Sequence, residues 1–147
     1  MRTSPSNEIT PQRPKFIAAL SFRGFEMRPE EVESLVGVEA STLIRRGSTH
    51  KPGAQPFQRS VARWEIEFPD STRLDEMIPA LLDSIGGFDH LVVVKKRVAP
   101  EFFEIDLSLW IKDSGEQEGG FIDASTIALV AQLGATLSFA FYSRNDA

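Results

Sequence analysis

The stretch EFFEIDLSLWI, residues 101–111, decides how the rest of the chain is read. Phe103, Ile105, Leu107, Leu109 and Ile111 alternate with Glu104, Asp106 and Ser108. A period of two puts the first set on one face of a strand and the second on the other. One face then meets a core and the other meets water, the pattern of a sheet covered on one side. A fully parallel sheet between two helix layers would instead read as a continuous apolar run.

Towards the C-terminus, KDSGEQEGG reads as a polar loop. DASTIALVAQLG reads as a helix capped by Asp123 and stopped by Gly134, and ATLSFAFYS as a closing strand. Towards the N-terminus, FDHLVVVKKRV (88–98) is double-sided. Its three valines favour a strand, but the flanking lengths accommodate a second helical piece, and helix is the reading adopted. Before it, Leu74, Met77, Ile78, Leu81, Leu82 and Ile85 follow helical spacing. Ser71 or Thr72 is the expected cap, Pro79 predicts a kink or a lost bond, and Gly86-Gly87 break the helix.

SVARWEIEF (60–68) alternates again. Trp64, Ile66 and Phe68 share one face, and Arg63, Glu65 and Glu67 the other. ASTLIRRG gives a short strand with Leu43 and Ile44. RPEEVESLVG gives a helix, with Pro29 at its first position, Glu30 and Glu31 in the first turn and Gly37 as its stop. KFIAALSFRG (15–24) places Phe16, Ala18, Leu20 and Phe22 on one strand face.

The element order is β-α-β, then β-α, then β-α-β. The outer units look alike: FIAALSF, a helix ending LVG and STLIRR, against FEIDLSL, a helix ending QLG and ATLSFAF. The expectation is an α+β, ferredoxin-like sandwich, with a mixed or antiparallel sheet of about five strands and helices packed on one face. Residues 15–147 read as one domain. Residues 1–14, with three prolines and no period, read as a disordered or loosely ordered tail.

At 147 residues, 41% apolar and 25% charged, the composition is that of a globular domain. No apolar run approaches the roughly 18 residues of a membrane span. MRTSPSNEITPQRPK lacks the apolar centre of a secretory signal. The absence of cysteine removes disulfides and thiol chemistry and suits a cytoplasmic setting.

The net charge of −5 is unevenly placed. Residues 40–64 carry 5 of the 16 basic residues and none of the 21 acidic ones. The remainder therefore holds 11 basic against 21 acidic residues. With only Phe57 and Trp64 interleaved, the basic segment does not make a nucleic-acid platform.

The layout resembles the DUF4279 family, a bacterial domain family of unknown function. The resemblance rests on the opening strand LSFRG, the Pro-Glu-Glu helix ending LVG, and the strand ending in Arg46-Gly47. It continues with the tryptophan strand at Arg63 and Trp64, and with GGFIDASTIALVAQLGATLSFAFYS and its Tyr142. It spans residues 15–143 and departs at Arg28, where a capping Asp or Ser would be expected before Pro29. It implies the fold, and it brings no reaction, cofactor or catalytic residue to carry over.

Motifs of chemistry are sparse. His50 and His90 lie 40 residues apart without HExxH spacing, and read as exposed polar residues. No GxSxG, GxxxxGK[ST] or GxGxxG is present, and no catalytic residue, metal or cofactor is assigned. Glu65/Glu67 and Glu104/Asp106 sit two apart on strands. They would form an acid–base or cation site only if those strands were neighbours, and otherwise a solvated face neutralised by Arg63, Arg23 and Lys112. The phenylalanines at 16, 22, 68, 103, 139 and 141 read as core residues.

Two surfaces remain as candidates. Arg45, Arg46, Lys51, Arg59 and Arg63 form a candidate site for an anionic ligand, since arginine grips carboxylates and phosphates in bidentate fashion. Trp110, on the polar register of its strand with Glu104 and Asp106, forms a candidate partner surface. The expected function is a non-enzymatic cytoplasmic domain binding a protein partner, with immunity-type neutralisation as its specific version, as a monomer or homodimer, with no nucleic acid or membrane. The alternative is a small-anion sensor using residues 45–63.

Overall fold

The computed structural model describes residues 16–111 and 119–143. The elements run β1 (Phe16–Arg23), α1 (Pro29–Val36), β2 (Thr42–Ile44), β3 (Val61–Phe68), α2 (Leu74–Ser84), α3 (Phe88–Val98), β4 (Phe102–Ile111), α4 (Ala124–Leu133) and β5 (Thr136–Ser143). The tail expected over 1–14 and the neutralising role expected for Lys112 lie outside the described residues.

The five strands form one sheet in the order β2-β3-β1-β4-β5. β1 lies antiparallel to both β3 and β4, and β2 antiparallel to β3. β4 and β5 are parallel, as a strand pair joined by a crossover helix must be. The sheet is therefore mixed and the class α+β. The two outer units that look alike in sequence are arranged differently: β3 separates β1 from β2, whereas β4 and β5 touch.

One face of the sheet carries the core. Ala18, Leu20 and Phe22 of β1, Ala62 and Trp64 of β3, and Phe103, Ile105 and Leu107 of β4 are buried in one cluster. The same cluster takes Val32 and Val36 from α1, Met77, Ile78, Leu81 and Leu82 from α2, Leu91, Val94 and Val98 from α3, and Val130 and Leu133 from α4. Phe22 sits between Trp64, edge-on with centroids 5.8 Å apart, and Phe103, at 4.8 Å. The indole N–H of buried Trp64 donates to the Val38 carbonyl at 2.9 Å, so the ring is buried without an orphaned donor.

The valine-rich segment 88–98 is helix α3. Leu91, Val94 and Val98 point inward at helical spacing, while Val92 and Val93 face out. Asp123 caps α4, its carboxylate accepting from the Thr126 amide. That bond and one from Ser125 hold its pKa below the ordinary value. The stabilisation is thus present above the unfolded-state pKa and is lost as pH falls through the lower folded-state one.

Two expectations are corrected. The residue preceding α2 is Arg73, with no side-chain cap bond, and Thr72 instead donates its amide to the Pro69 carbonyl in a turn. Pro79 lies inside α2, where having no N–H it leaves one helical bond unmade, and the helix continues past it to Ser84. Phe139 and Phe141 stand opposite Leu107 and Leu109, on the core side of the sheet, yet are 45% and 64% exposed. Ten residues of β4 run about 33 Å, whereas ten residues of α4 cover only about 15 Å. A helix of that length covers only part of such strands, and both aromatics sit on the outermost strand of the sheet, which has one neighbouring strand among the described residues. Phe16 and Phe68 are only partly buried.

Phe22→Ala is expected to lower the unfolding free energy by about 3–5 kcal/mol, whereas Val93→Ala should stay within about 0.5 kcal/mol. Urea unfolding of the two variants checks this.

Candidate functional site

The sheet face turned away from the helices is organised by Arg63. β3 and β4 lie on either side of β1, so about 9.6 Å separates them. The intervening positions on this face are Ala19 and Ser21, both small. Arg63 spans the gap. One guanidinium nitrogen donates to Ser21 Oγ at 3.0 Å and to Asp106 Oδ2 at 2.8 Å, and its Nε donates to Glu65 Oε1 at 2.9 Å. Ser138 of β5 donates to the other oxygen of Asp106. Burial pulls the Arg63 pKa down, but bonding to Glu65 and Asp106 outweighs it and leaves the net shift upward, so the charge is permanent.

Arg23 makes a second pair on this face. It donates to Glu104 at 3.0 Å, with its guanidinium carbon 4.7 Å from the Phe102 ring centre. The strand acids therefore do not converge on one another. β1 separates the two carboxylate pairs, and Arg63 holds Glu65 and Asp106 in one ion network. The neutralising role expected of Arg63 and Arg23 is what these bonds show. Trp110 shares the face with Glu104 and Asp106 and packs at a tilt against Tyr142, ring centroids 5.1 Å apart, rather than against α3.

The five basic residues of the 45–63 segment do not form one cluster. Arg45 lies 3.8 Å from Glu30 of α1, with both side chains well exposed. Arg59 bonds Glu101 at 3.0 Å and lies over Phe102. Arg63 is on the open sheet face. The Arg46 and Lys51 side chains have no acid partner among the described residues. Arg46 and Arg59 do share a cavity of about 410 Å³, lined also by Gly24, Glu26, Ser60 and Glu101.

Gly24 shapes that cavity. Its φ of +75° suits glycine, and a Cβ there would come within 2.9 Å of the Glu101 side chain. Its amide donates to the Ser60 carbonyl, and its carbonyl accepts from the Glu101 amide, both at 2.9 Å. The loop above is tied at its base by Gly47 and Ser48 to Phe57.

The histidines stay apart. His50 is exposed on the loop, and His90 bonds the Val36 carbonyl at 3.0 Å. Among the described residues no group of three potential metal ligands forms. No single described helix is long and apolar enough to cross a membrane.

One feature escaped the sequence reading. Residues 124–143 contain no Asp, Glu, Lys or Arg. A search for windows lacking all charge, rather than one sign of it, would have found this run.

The sequence profile described as Domain of unknown function (DUF4279) matches residues 14–144, nearly the whole chain. The chain belongs to the DUF4279 family. No curated protein and no solved structure matches it. In this DUF4279 domain the short motifs of the resemblance have physical roles. LVG buries Val36 and ends α1 at Gly37 with φ +84°, and QLG ends α4 at Gly134 with φ +68°. Trp64 packs the core while Arg63 fastens the opposite face.

Arg63→Ala is expected to cost about 1–3 kcal/mol, because it strips a partly buried carboxylate of its main donor. Asp106→Ala in the same background should add little, a non-additivity that denaturant titration of the double-mutant cycle measures.

Proposed function

We propose that this DUF4279 domain is a non-enzymatic cytoplasmic binding module whose open sheet face receives a protein partner. The observation that carries the reading is a sheet face free of helices among the described residues, with ordered charge pairs along its middle and aromatic groups at both ends. Phe102 lies under Arg23 and Arg59 at one end, and Trp110 packs against Tyr142 at the other. Aromatic anchors beside arginine are the groups that dominate protein interfaces. The acidic balance of the chain suits a basic partner, as in immunity-type neutralisation, where opposite potentials speed encounter.

A ferredoxin-like frame supports the same reading. The order β4-β1-β3-β2, antiparallel throughout, is that of a βαββαβ unit, to which α3 would be an insertion and α4-β5 an extension. Such a frame leaves one sheet face free of helices.

The checking experiment is affinity capture from native lysate at low and physiological salt, followed by titration with the recovered partner. Trp110→Ala and Glu104→Lys should each weaken that partner at least about tenfold. Recovery of no stoichiometric partner, or one held equally by both variants, would overturn the reading.

A second reading rests on Arg46, which faces the shared cavity without an acid partner among the described residues. It makes the cavity a small-anion sensor site with Arg59. In a thermal-shift screen of carboxylates and phosphates at millimolar concentration, binding raises Tm. Arg46→Ala should abolish the rise and Arg63→Ala should leave it, since Arg63 lies on the other surface.

A further inference from the structure

The charge-free run continues into the least protected part of the surface. At the chain's 25% charged content, twenty residues would carry about five charges, and 124–143 carry none. The run comprises all of α4 and β5. β5 is the last strand of the sheet, eight residues long, and its register against β4 is continuous, without a bulge. Edge strands are ordinarily blunted by lysine, proline, bulges or shortness. The opposite edge, β2, is three residues long. β5 has none of these devices.

The side chains around this edge are apolar and uncovered. Phe139 and Phe141 stack nearly parallel, 7° apart with centroids 6.4 Å apart, on the helix side. Tyr142 is exposed on the other side, and Ile127 of α4 is 54% exposed. α4 packs on α2, α3 and β5, making it the outermost helix of its layer, as β5 is the outermost strand. Exposed Ala124, Ala128 and Ala131 leave its surface smooth.

We infer that β5 and α4 form the interface of a homodimer, in which β5 pairs antiparallel with β5 of a second copy and joins the two sheets. Among the described residues no strand pairs with the outer edge of β5, and its surroundings suit a strand that is uncharged and apolar on its flanks. β5 itself is such a strand. A two-fold axis passing beside Ala140 sets Phe139 of each copy against Phe141 of the other. Charge argues the same way. Two copies at −5 repel over most of their surfaces, and this strip contributes no repulsion of its own. Eight residues span about 26 Å, and with a helix layer about 10 Å above the strand the joint buries on the order of 1,000 Å², the lower bound for a specific interface. Tyr142 belongs to the open face proposed for the partner and borders this edge, but the joint rests on Phe139, Phe141 and Ile127 on the helix side, so either assignment can fail alone.

Sedimentation equilibrium on the full chain, from about 1 to about 100 µM, is the test. The expected mass is twice 16.3 kDa at the upper end. Phe141→Lys and Ile127→Lys should each raise the dissociation constant at least about tenfold, while Val93→Lys on α3 leaves it unchanged. A mass of 16.3 kDa throughout, or a dimer indifferent to both lysines, overturns the inference. If circular dichroism shows either lysine variant unfolded, hydrogen exchange on the unaltered chain decides. Protection of β5 amides that rises with concentration supports the joint, and protection independent of concentration overturns it.

Discussion

A single arginine laid across the central strand holds the uncovered half of this structure together. A sheet with helices on one side must do something with the other face of its middle strand, above which no helix lies among the described residues. Here β1 offers only Ala19 and Ser21 at the middle of that face, and both are nevertheless buried. The cover includes the Arg63 side chain, which reaches from β3 over Ser21 to Asp106 on β4. The small residues and the long one depend on each other. A larger side chain at position 21 would block the crossing, and a shorter one at 63 would leave Ser21 open and Asp106 without its main donor.

That crossing also explains why the acid-free window in the sequence is not a basic patch in space. Apart from Glu65, just past the window on the same strand, the acids that meet its arginines come from elsewhere: Glu30 from α1, Glu101 from just before β4, and Asp106 from β4. Counting charge along the chain sees none of the latter, because the strand order that brings them close is a long-range property. What survives is Arg46, whose neighbours in space include Arg59 and the rim of one cavity.

The fold was more legible than the site. Two-residue alternation in β3 and β4 and the i, i+3, i+4 spacing of α2 each name an element without any knowledge of its neighbours. Even the valine-rich α3 is decided by which residues point inward, since Leu91, Val94 and Val98 fit a helix and no strand. Phe139 and Phe141 show where such reading stops. Their register is that of core residues, but burial requires something above them, and a helix rises less than half as far per residue as a strand. That mismatch of lengths exists only once the elements are assembled. Together with the outermost place of β5, it turns that end of the sheet into surface rather than core.

The central position of β1 has a consequence for how the chain acquires its shape. β1 is the first strand in the sequence, and both its neighbours come much later. Phe16 pairs with Phe68, and Ile17 with Ser108, 91 residues downstream. At roughly 5–20 residues per second, a ribosome needs on the order of 5–20 s to make that intervening stretch. Throughout that interval the apolar face of Ala18, Leu20 and Phe22 has at most half its final sheet around it. By contrast β4, α4 and β5 are contiguous and settle by local closure. When β4 emerges the keystone strand is therefore already waiting, and β4 supplies both its second neighbour and the carboxylate that Arg63 grasps.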